Sequence, residues 1–292
     1  MFASIDETRE RLAEARYVAD EDLATTLYLA LKMERPLFLE GAPGVGKTEL
    51  ARVLSGIFEA PLIRLQCYEG LDVHQALYEW NYPRQLLTVQ ALRDGGTAEL
   101  ERTLSTLYTE DYLLRRPLLQ AIDAAHERPP VLLVDEIDRA DEEFESFLLE
   151  LLGDFQVTIP ELGSVRAETR PIVILTSNRT RDVHDALKRR CLYAWIDYPG
   201  LEKEVAIVSR KVPGLGPHLT EQAVRLVQDL RQEELQKPPG VAETLDWAQA
   251  LLHLGVAELD PGPMGATGGA LLKHQEDLAF FRRWIGARGV PA

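Results

Sequence analysis

One eight-residue segment constrains this chain more than any other part of its sequence: Gly41-Ala42-Pro43-Gly44-Val45-Gly46-Lys47-Thr48. It matches the pattern G-x-x-x-x-G-K-[ST] at every fixed position, with an apolar run (36–39) before it and a helix-forming run (49–54) after it. A strand that enters a glycine loop and continues as a helix is the setting that this pattern requires. The glycines let successive backbone N–H groups turn towards one phosphate, and the helix N-terminus adds partial positive charge there.

We predict that this loop holds the phosphates of ATP. Lys47 would contact the β- and γ-phosphates, and the Thr48 hydroxyl would hold Mg²⁺. The residues that we expect to line the nucleotide are Gly41, Pro43, Gly44, Val45, Gly46, Lys47, Thr48 and Glu49. The alternative is a chance glycine turn before a helix, which the flanking pattern disfavours. The sequence has no Asn-Lys-x-Asp motif of the kind that reads guanine, so ATP is favoured over GTP.

Two adjacent carboxylates end a second apolar run. Residues 131–134 read as a strand buried on both faces, and Asp135 and Glu136 follow it directly. Carboxylates at the tip of a buried strand are costly unless they face a site. We predict that Asp135 contributes to the Mg²⁺ shell and that Glu136 is the general base for the attacking water. Alone, the pair would read as a surface turn, and the phosphate loop upstream favours the catalytic interpretation.

Polar residues also lie at two later strand boundaries. Asn178 follows the apolar run 172–177, where it would bond the attacking water or the γ-phosphate, although a single Asn often just makes a turn. Arg189 and Arg190 precede a further strand. Paired arginines usually form a solvated face, but in an oligomeric ATPase this position presents a finger to the neighbour's γ-phosphate. We predict Arg190 as the finger, with Arg189 as the second choice.

In this order, the motifs resemble those of the AAA+ ATPases. The sequence around them is similar to the MoxR branch, and most similar to its CoxD-like members, which are linked to the maturation of carbon monoxide dehydrogenase. The resemblance covers nearly the whole chain, and it is carried by residues 133–141, 159–163, 175–181, 185–193 and 240–247.

The predicted fold class is α/β. Apolar runs predict five strands, separated by helical patterns, at 36–40, 61–66, 131–134, 172–177 and 193–197. This pattern is typical of a parallel sheet flanked by helices, with nucleotide at the carboxyl ends of the strands. The resemblance implies the AAA+ P-loop fold with strand order 5-1-4-3-2. It also implies that the chain before the phosphate loop, with Tyr17 and Val18 as candidates, forms the adenine pocket, although both would equally serve to pack the core.

From Tyr198 onward the pattern is helical only. We expect helices at 201–211, 220–235, 242–254 and 271–286, with a flexible connector at 261–269. By resemblance the predicted domains are 1–199, the nucleotide-binding domain, and 200–292, a small helical lid. Many AAA+ lids place an arginine at the start of the third lid helix, where it touches the γ-phosphate. The turn at 240–246 has none, so Arg179, Arg181 or a neighbouring subunit would have to supply it.

Two segments are predicted to be additions to the α/β core. The stretch 67–129 is long for one crossover, and the resemblance implies an insertion within the second helix. Its aromatic residues are either contact residues or a locally packed cluster: Tyr68, Tyr78, Trp80 and Tyr82. Residues 156–166 alternate around a Glu-Leu-Gly-Ser turn, which predicts a β-hairpin. The resemblance implies that this hairpin lines the pore of a ring.

The composition limits the alternatives. The formal net charge is −15, so most of the surface would repel duplex DNA. The two cysteines, Cys67 and Cys191, do not indicate a disulfide framework, and the six histidines show no metal-ligand spacing. The N-terminus is charged too early for a signal peptide, and no apolar run approaches a membrane span. We expect a cytoplasmic protein that binds no nucleic acid.

These features together predict a Mg²⁺-dependent ATPase that forms a homo-oligomeric ring, with a hexamer as the expected size, and remodels a protein client. The resemblance implies a partner with a von Willebrand factor A domain and a metalloenzyme client, in its sharpest form a molybdenum hydroxylase whose metal cofactor is inserted or activated. Two alternatives stay open: a DNA-directed AAA+ motor or loader, and a scaffold that binds nucleotide but hydrolyses little. Only Arg166 is basic on the hairpin, which disfavours the first, and the intact Glu136 disfavours the second.

Overall fold

The structure is a computed structural model that describes residues 1–91, 107–122 and 126–288. Its contacts divide the chain into two compact units. The first comprises Met1–Ala3, Thr25–Glu40 and Ala51–Ala194, and the second comprises Ser4–Ala24, Gly41–Leu50 and the chain from Trp195 onward. The phosphate-loop residues therefore belong to the same unit as the C-terminal helices, and a domain boundary at residues 199 and 200 stays a prediction.

Five strands form the central sheet. The strands of the described residues are β1 (Leu37–Gly41), β2 (Leu62–Gln66), β3 (Tyr78–Trp80), β4 (Leu113–Arg115), β5 (Val131–Asp135), β6 (Gln156–Ile159), β7 (Gly163–Arg166), β8 (Ile172–Ser177) and β9 (Leu192–Ile196). The sheet order is β2-β5-β8-β1-β9, and the pairs β2–β5, β5–β8 and β8–β1 are parallel. This confirms the predicted α/β fold and the strand order that the resemblance implied.

Helices occupy most of the remaining described chain. They are α1 (Ile5–Glu14), α2 (Glu21–Lys32), α3 (Lys47–Phe58), α4 (Val73–Leu77), α5 (Tyr82–Ala91), α6 (Pro117–Ile122), α7 (Glu142–Asp154), α8 (Asp185–Arg190), α9 (Leu201–Lys211), α10 (Pro217–Leu230), α11 (Val241–His253), α12 (Pro261–Leu271) and α13 (Gln275–Arg288). Short 3₁₀ turns occur at Glu110–Tyr112 and Ile137–Arg139. The predicted helices at 201–211 and 242–254 are confirmed to within one residue.

The core of the first unit explains why its strands are continuous apolar runs. Every residue of β1 and β5 is buried, as expected for inner strands that are covered on both faces. Their registers place Gln66 opposite Asp135 and Glu40 opposite Ser177. The carboxyl ends of four strands therefore lie along one edge of the sheet, where polar residues replace the apolar ones.

The insertion is built on a small antiparallel sheet of β3 and β4. Two of its aromatic residues, Tyr78 and Trp80, are buried in the core of the first unit, whereas Tyr68 and Tyr82 are exposed. Tyr78 and Trp80 therefore belong to a packed cluster rather than to a contact surface. Of the four aromatic residues, Tyr68 and Tyr82 remain candidates for contacts with a partner. Residues 92–106 of the predicted insertion lie outside the described residues. Strands β6 and β7 form the predicted hairpin at 156–166.

The C-terminal helices of the second unit pack around Trp247, which is fully buried. The prediction of a flexible connector at 261–269 is wrong, because these residues form most of α12. Two prolines begin the helix, where a missing N–H costs nothing. The small residues then allow close packing: Thr267 accepts a 2.7 Å hydrogen bond from the Trp247 indole, and Gly268 lies against Phe281. Tertiary packing outweighs the low helix propensity of glycine here.

The other C-terminal helices differ from prediction only at their ends. Helix α10 begins at Pro217 rather than 220 and ends at Leu230 rather than 235. Helix α13 begins at Gln275, because Leu271 completes α12 instead. A proline at the first helical position indicates where a helix begins, and the pattern of apolar residues alone did not reveal this start.

Candidate active site

The phosphate loop lies in the second unit, between β1 and α3. Its three glycines all have positive φ angles: 157° for Gly41, 78° for Gly44 and 98° for Gly46. Side chains rarely adopt this conformation, and a Cβ on Gly41 would also collide with the carbonyl oxygen of Ile196. Val45 is buried and anchors the loop, whereas Pro43 is exposed. The loop therefore has the backbone form that its sequence pattern predicted.

Lys47 points back into the curve of the loop. Its side chain is buried, and its ammonium group donates hydrogen bonds to the carbonyl oxygens of Gly41 at 2.7 Å and Ala42 at 2.8 Å. Thr48 follows in the first turn of α3 and is half-buried. Glu49 is paired with Lys211 of α9 at 2.5 Å. The loop thus holds one positive charge at its centre, where the helix N-terminus also favours an anion.

Tyr17 packs on the phosphate loop from the connection between α1 and α2. Its hydroxyl lies 3.5 Å from the carbonyl oxygen of Gly46, and the side chain is buried. Burial, with the nearby carboxylates of Asp20 and Glu49, raises the pKa of Tyr17 well above its ordinary value. Val18 is half-buried. The structure therefore brings Tyr17 to the loop, and its part in an adenine pocket stays a prediction.

The start of α11 contacts the phosphate loop directly. The N–H of Ala242 donates to the carbonyl oxygen of Gly44 at 3.1 Å. The carboxylate of Glu243 accepts from the N–H of Gly240 at 2.9 Å, and it lies 3.1 Å from the point where a Cβ on Gly44 would be. The start of α11 therefore brings a carboxylate and backbone groups to the phosphate loop.

Arg231 and Arg181 are both held by carboxylate and carbonyl oxygens of their own units. Arg231 forms a buried ion pair with Glu204 at 2.6 Å and also donates to the Pro239 carbonyl. In the first unit, Arg181 donates to the Ala140 carbonyl and to the buried Glu145. Neither guanidinium is available for a phosphate without breaking these contacts. Of the two candidates in this chain for the missing lid arginine, Arg181 has these contacts and Arg179 is exposed, and the role of either stays a prediction.

Asp135 ends β5 at the polar edge of the sheet in the first unit. Only 3% of its surface is exposed. One carboxylate oxygen, Oδ1, accepts from the Thr176 hydroxyl at 2.5 Å. The other, Oδ2, accepts from the Arg64 guanidinium, with Nη2 at 2.6 Å and Nε at 3.1 Å. Neither Arg64 nor Thr176 was predicted to contact the site. Arg64 lies in a strand of alternating apolar and polar residues, and Thr176 lies in a strand that is a mainly apolar run, so neither is conspicuous in the sequence.

Glu136 and Asn178 meet at the same edge. The side-chain Nδ2 of Asn178 donates to Glu136 Oε1 at 3.3 Å, and Arg139 Nη1 lies 3.4 Å from Oε2. Glu136 has a left-handed backbone with φ of 56°, which turns its side chain out of the line of β5. Its N–H donates to the Thr176 hydroxyl at 3.0 Å. Residues with strained backbone are common at active sites. The structure thus brings the predicted base, Glu136, into contact with Asn178, which was predicted to assist it.

Asp138 ties this cluster together, and the sequence analysis missed it. It is buried, and its carboxylate accepts from the N–H of Asn178 at 3.2 Å and from the N–H and hydroxyl of Thr180 at 2.8 and 2.7 Å. It therefore fixes the loop after β8 to the turn after β5. The sequence signal that could have identified Asp138 is a third carboxylate two residues beyond Glu136, because a turn alone would not need one there.

The two predicted finger residues differ in their surroundings. Arg190 donates from Nη1 to the carbonyl oxygen of Leu149 in α7 at 2.7 Å. The Arg189 side chain is exposed, and within the described residues it has no hydrogen bond or ion pair. Arg35 holds the end of α8 by donating to the carbonyl oxygens of Arg189, Arg190 and Cys191. Either finger assignment requires a neighbouring subunit and stays a prediction.

The fold, the phosphate loop and the cluster of Asp135, Glu136 and Asn178 agree with a family match. The AAA domain family (dynein-related subfamily) matches residues 36–191, which is more than half of the chain. The chain therefore belongs to this family, and it is an ATPase. The match includes the phosphate loop, Asp135, Glu136, Asn178 and both predicted finger residues.

The individual relatives have low sequence identity to this chain. An uncharacterised protein of Staphylococcus epidermidis is 24% identical over 230 residues, which cover 76% of this chain and 78% of that protein. One of Staphylococcus aureus (strain USA300) is 25% identical over 229 residues, with 76% and 77% covered. Among solved structures, the Thermotoga maritima RuvB Holliday junction branch migration motor is 14% identical, covers 91% of this chain and 69% of its own, and gives a TM-score of 0.48. That score is too low to carry an argument about this chain.

No helix in the part of the chain that the structure describes is long and apolar enough to cross a membrane. No group of three or more His, Cys, Asp and Glu in the described ranges is arranged to hold a metal ion by itself.

Proposed function

We propose that this ATPase is a Mg²⁺-dependent, ring-forming protein of the MoxR type that remodels a protein client. The observation that best supports hydrolysis at this site is the hydrogen bond from Asn178 to Glu136, next to the buried Asp135. A carboxylate, its orienting amide and a second carboxylate at one sheet edge suit the activation of water beside a metal-bound triphosphate.

The phosphates of ATP would be held by the loop of the second unit. The Lys47 ammonium and the backbone N–H groups of Gly44, Val45 and Gly46 would be the donors. The Thr48 hydroxyl of the second unit and the Asp135 carboxylate of the first are each a hard oxygen ligand of the kind that Mg²⁺ prefers, so each residue fits a role in holding this ion. When bound, Mg²⁺ neutralises charge on the phosphates. Tyr17 and Val18 would flank the adenine, and Glu49 would keep its ion pair with Lys211.

Glu136 would act as the general base. Its carboxylate takes a proton from water while the water oxygen bonds to the γ-phosphorus and the bond to the β-phosphate oxygen breaks, which releases ADP and phosphate. Asn178 keeps the carboxylate oriented through its 3.3 Å hydrogen bond. Residues 200–292 would serve as the lid, because the start of α11 contacts the phosphate loop and would respond to what the loop holds.

A ring would complete the site. A finger from a neighbouring subunit stabilises charge on the γ-phosphoryl oxygens in the transition state. Arg190 would have to leave the Leu149 carbonyl to do this, whereas Arg189 already extends into solvent. We keep both as candidates, and we expect a hexamer.

We propose a metalloenzyme as the client. The similarity to CoxD-like proteins supports a partner with a von Willebrand factor A domain and a metalloenzyme client, such as a molybdenum hydroxylase that receives or activates its metal cofactor. The net charge of −15 and a hairpin with Arg166 as its basic residue favour a protein over DNA. A cytoplasmic location also stays a prediction.

Affinity isolation with a trapped variant tests this function. Glu136→Gln keeps the shape of the site but removes the base, so in ATP it should hold a client that wild type releases. We expect an A-domain protein to be recovered with Glu136→Gln and ATP, and to be lost with Lys47→Ala. Because Trp80 is buried, the exposed Tyr82→Ala is the suitable test of the insertion, and it should weaken this recovery. Recovery of DNA without such a protein would instead support the DNA-directed alternative.

A further inference from the structure

Arg64 is the unexpected charge at the predicted Mg²⁺ site. It lies on β2, and its guanidinium donates to Asp135 Oδ2 from Nη2 at 2.6 Å and from Nε at 3.1 Å. The same Nη2 donates to Gln66 Oε1 at 2.5 Å. Neither contact belongs to the mechanism proposed above, which uses Asp135 only as a ligand of the cation.

The geometry of β2 explains why Arg64 reaches this carboxylate. Ile63 and Leu65 point into the core and are buried, so Arg64 and Gln66 share the opposite face of the strand. The register places Gln66 opposite Asp135, and Arg64 two residues earlier on the same face. A long side chain from Arg64 can therefore extend along the strand to the sheet edge, and Gln66 helps to hold it there.

Two of the side chains that bond to the Asp135 carboxylate differ in exposure. Thr176 is buried, and its hydroxyl bonds to Oδ1 from inside the sheet. Arg64 is 46% exposed, so its guanidinium can leave Oδ2 and be hydrated by solvent. A nearly buried carboxylate requires a partner for its charge, and Arg64 supplies one that is removable.

We propose that Arg64 is a positioning residue that competes with the divalent cation for Asp135 and so sets the Mg²⁺ concentration at which nucleotide is held. This inference rests on the proposed role of Asp135 as a Mg²⁺ ligand. A guanidinium and Mg²⁺ that share one carboxylate repel each other, so each weakens the binding of the other. Removal of the Arg64 charge then makes Asp135 a stronger ligand for the cation.

The test measures binding rather than turnover. A fluorescent, non-hydrolysable ATP analogue is titrated onto the full-length protein at increasing Mg²⁺, and the Mg²⁺ midpoint is recorded for wild type, Arg64→Gln and Arg64→Lys. Arg64→Gln should lower the midpoint roughly tenfold, since loss of a like charge a few ångströms away is of this order. Arg64→Lys, which keeps the charge but loses the paired geometry, should lower it less. Affinity in EDTA should stay at the wild-type value.

Arg128→Gln is the matched control, because Arg128 is an exposed arginine of the same unit that pairs with Glu59 instead. Its midpoint should equal that of wild type. Midpoints for both Arg64 variants that are unchanged, or shifted to higher Mg²⁺, would overturn the inference; if Arg64→Gln fails to fold, the Arg64→Lys midpoint decides alone. A wild-type affinity that does not depend on Mg²⁺ would instead remove the proposed role of the cation itself.

Discussion

At the scale of single residues, Asp138 shows how the catalytic candidates are held in place. Its one carboxylate accepts three hydrogen bonds, from Asn178 and from two groups of Thr180. These residues lie about 40 positions further along the chain, on the far side of a helix and a hairpin. The position of Asn178 beside Glu136 therefore depends on a charge that contacts neither water nor phosphate in the proposed mechanism.

Substitution of Asp138 should separate positioning from binding. Asp138→Asn replaces an acceptor oxygen with an NH₂ group that faces N–H donors, so we expect the loop after β8 to shift. The ATP turnover rate should fall by about tenfold, with a loss of about 1–3 kcal/mol in the free energy of unfolding. The Kd for ATP should be nearly unchanged. Asp182→Asn, on an exposed residue of the same loop, is the control, and a wild-type turnover rate in Asp138→Asn would refute the positioning role.

Both cysteines should be unreactive in the folded protein. Burial raises the pKa of Cys67 and of Cys191 to about 12, with the carboxylate of Asp135 adding to the effect at Cys67. Because the reactive species is the thiolate, both thiols stay protonated at pH 8. A disulfide reagent should label neither cysteine at pH 8 in buffer and both in guanidinium chloride. Rapid labelling of native protein would contradict the burial of these side chains.

Sequence reasoning found the residues at strand ends and missed those that contact them from within strands. Asp135, Glu136 and Asn178 interrupt apolar runs, and a polar residue at such a point is conspicuous. Arg64 looks like any exposed residue of an alternating strand, and its partner lies 71 positions away. No local pattern encodes that distance, because strand order and register decide which side chains meet.

At the scale of helices and strands, α12 shows where local propensity misleads. Its sequence, with prolines and four glycines, is typical of a linker, yet it forms a helix between α11 and α13. Met264, Thr267, Gly268 and Leu271 are buried at helical spacing. The five strands of the sheet were predictable because inner parallel strands are continuous apolar runs, whereas α12 was not, because its stability comes from packing on Trp247 and Phe281.

Two neighbouring glycines of α12 should respond oppositely to the same substitution. A Cβ on Gly268 would lie 3.2 Å from the Phe281 ring, whereas a Cβ on Gly269 would have no neighbour within 4 Å among the described residues. Gly268→Leu should lower the free energy of unfolding by about 1–3 kcal/mol through overpacking. Gly269→Leu should raise it by about 0.5–1 kcal/mol through helix propensity. Urea denaturation measures both, and equal effects at the two positions would contradict this packing.

At the scale of the whole molecule, the account requires that one subunit complete the site of another. Neither Arg189 nor Arg190 takes part in the cluster of Asp135, Glu136 and Asn178. Membership of the AAA domain family makes ring assembly the expected context for these arginines.

Mixing of inactive variants tests the finger. Arg189→Ala and Arg190→Ala should each bind ATP normally, and the variant that lacks the finger should hydrolyse it on the order of 10³-fold more slowly. Lys47→Ala is inactive for a different reason, because it cannot hold nucleotide. A mixture of the finger variant with Lys47→Ala should regain part of the activity, since some interfaces pair an intact site with an intact finger. Wild-type turnover in both arginine variants would place the finger outside α8.

The proposed role of Glu136 as the base for ATP hydrolysis can be checked by one paired measurement on wild type, Glu136→Gln and Lys47→Ala. The Kd for ATP and the steady-state turnover rate are determined for each protein in Mg²⁺. We expect Glu136→Gln to bind ATP as wild type does and to lose turnover, and Lys47→Ala to lose binding. Equal turnover rates in wild type and Glu136→Gln would contradict the account.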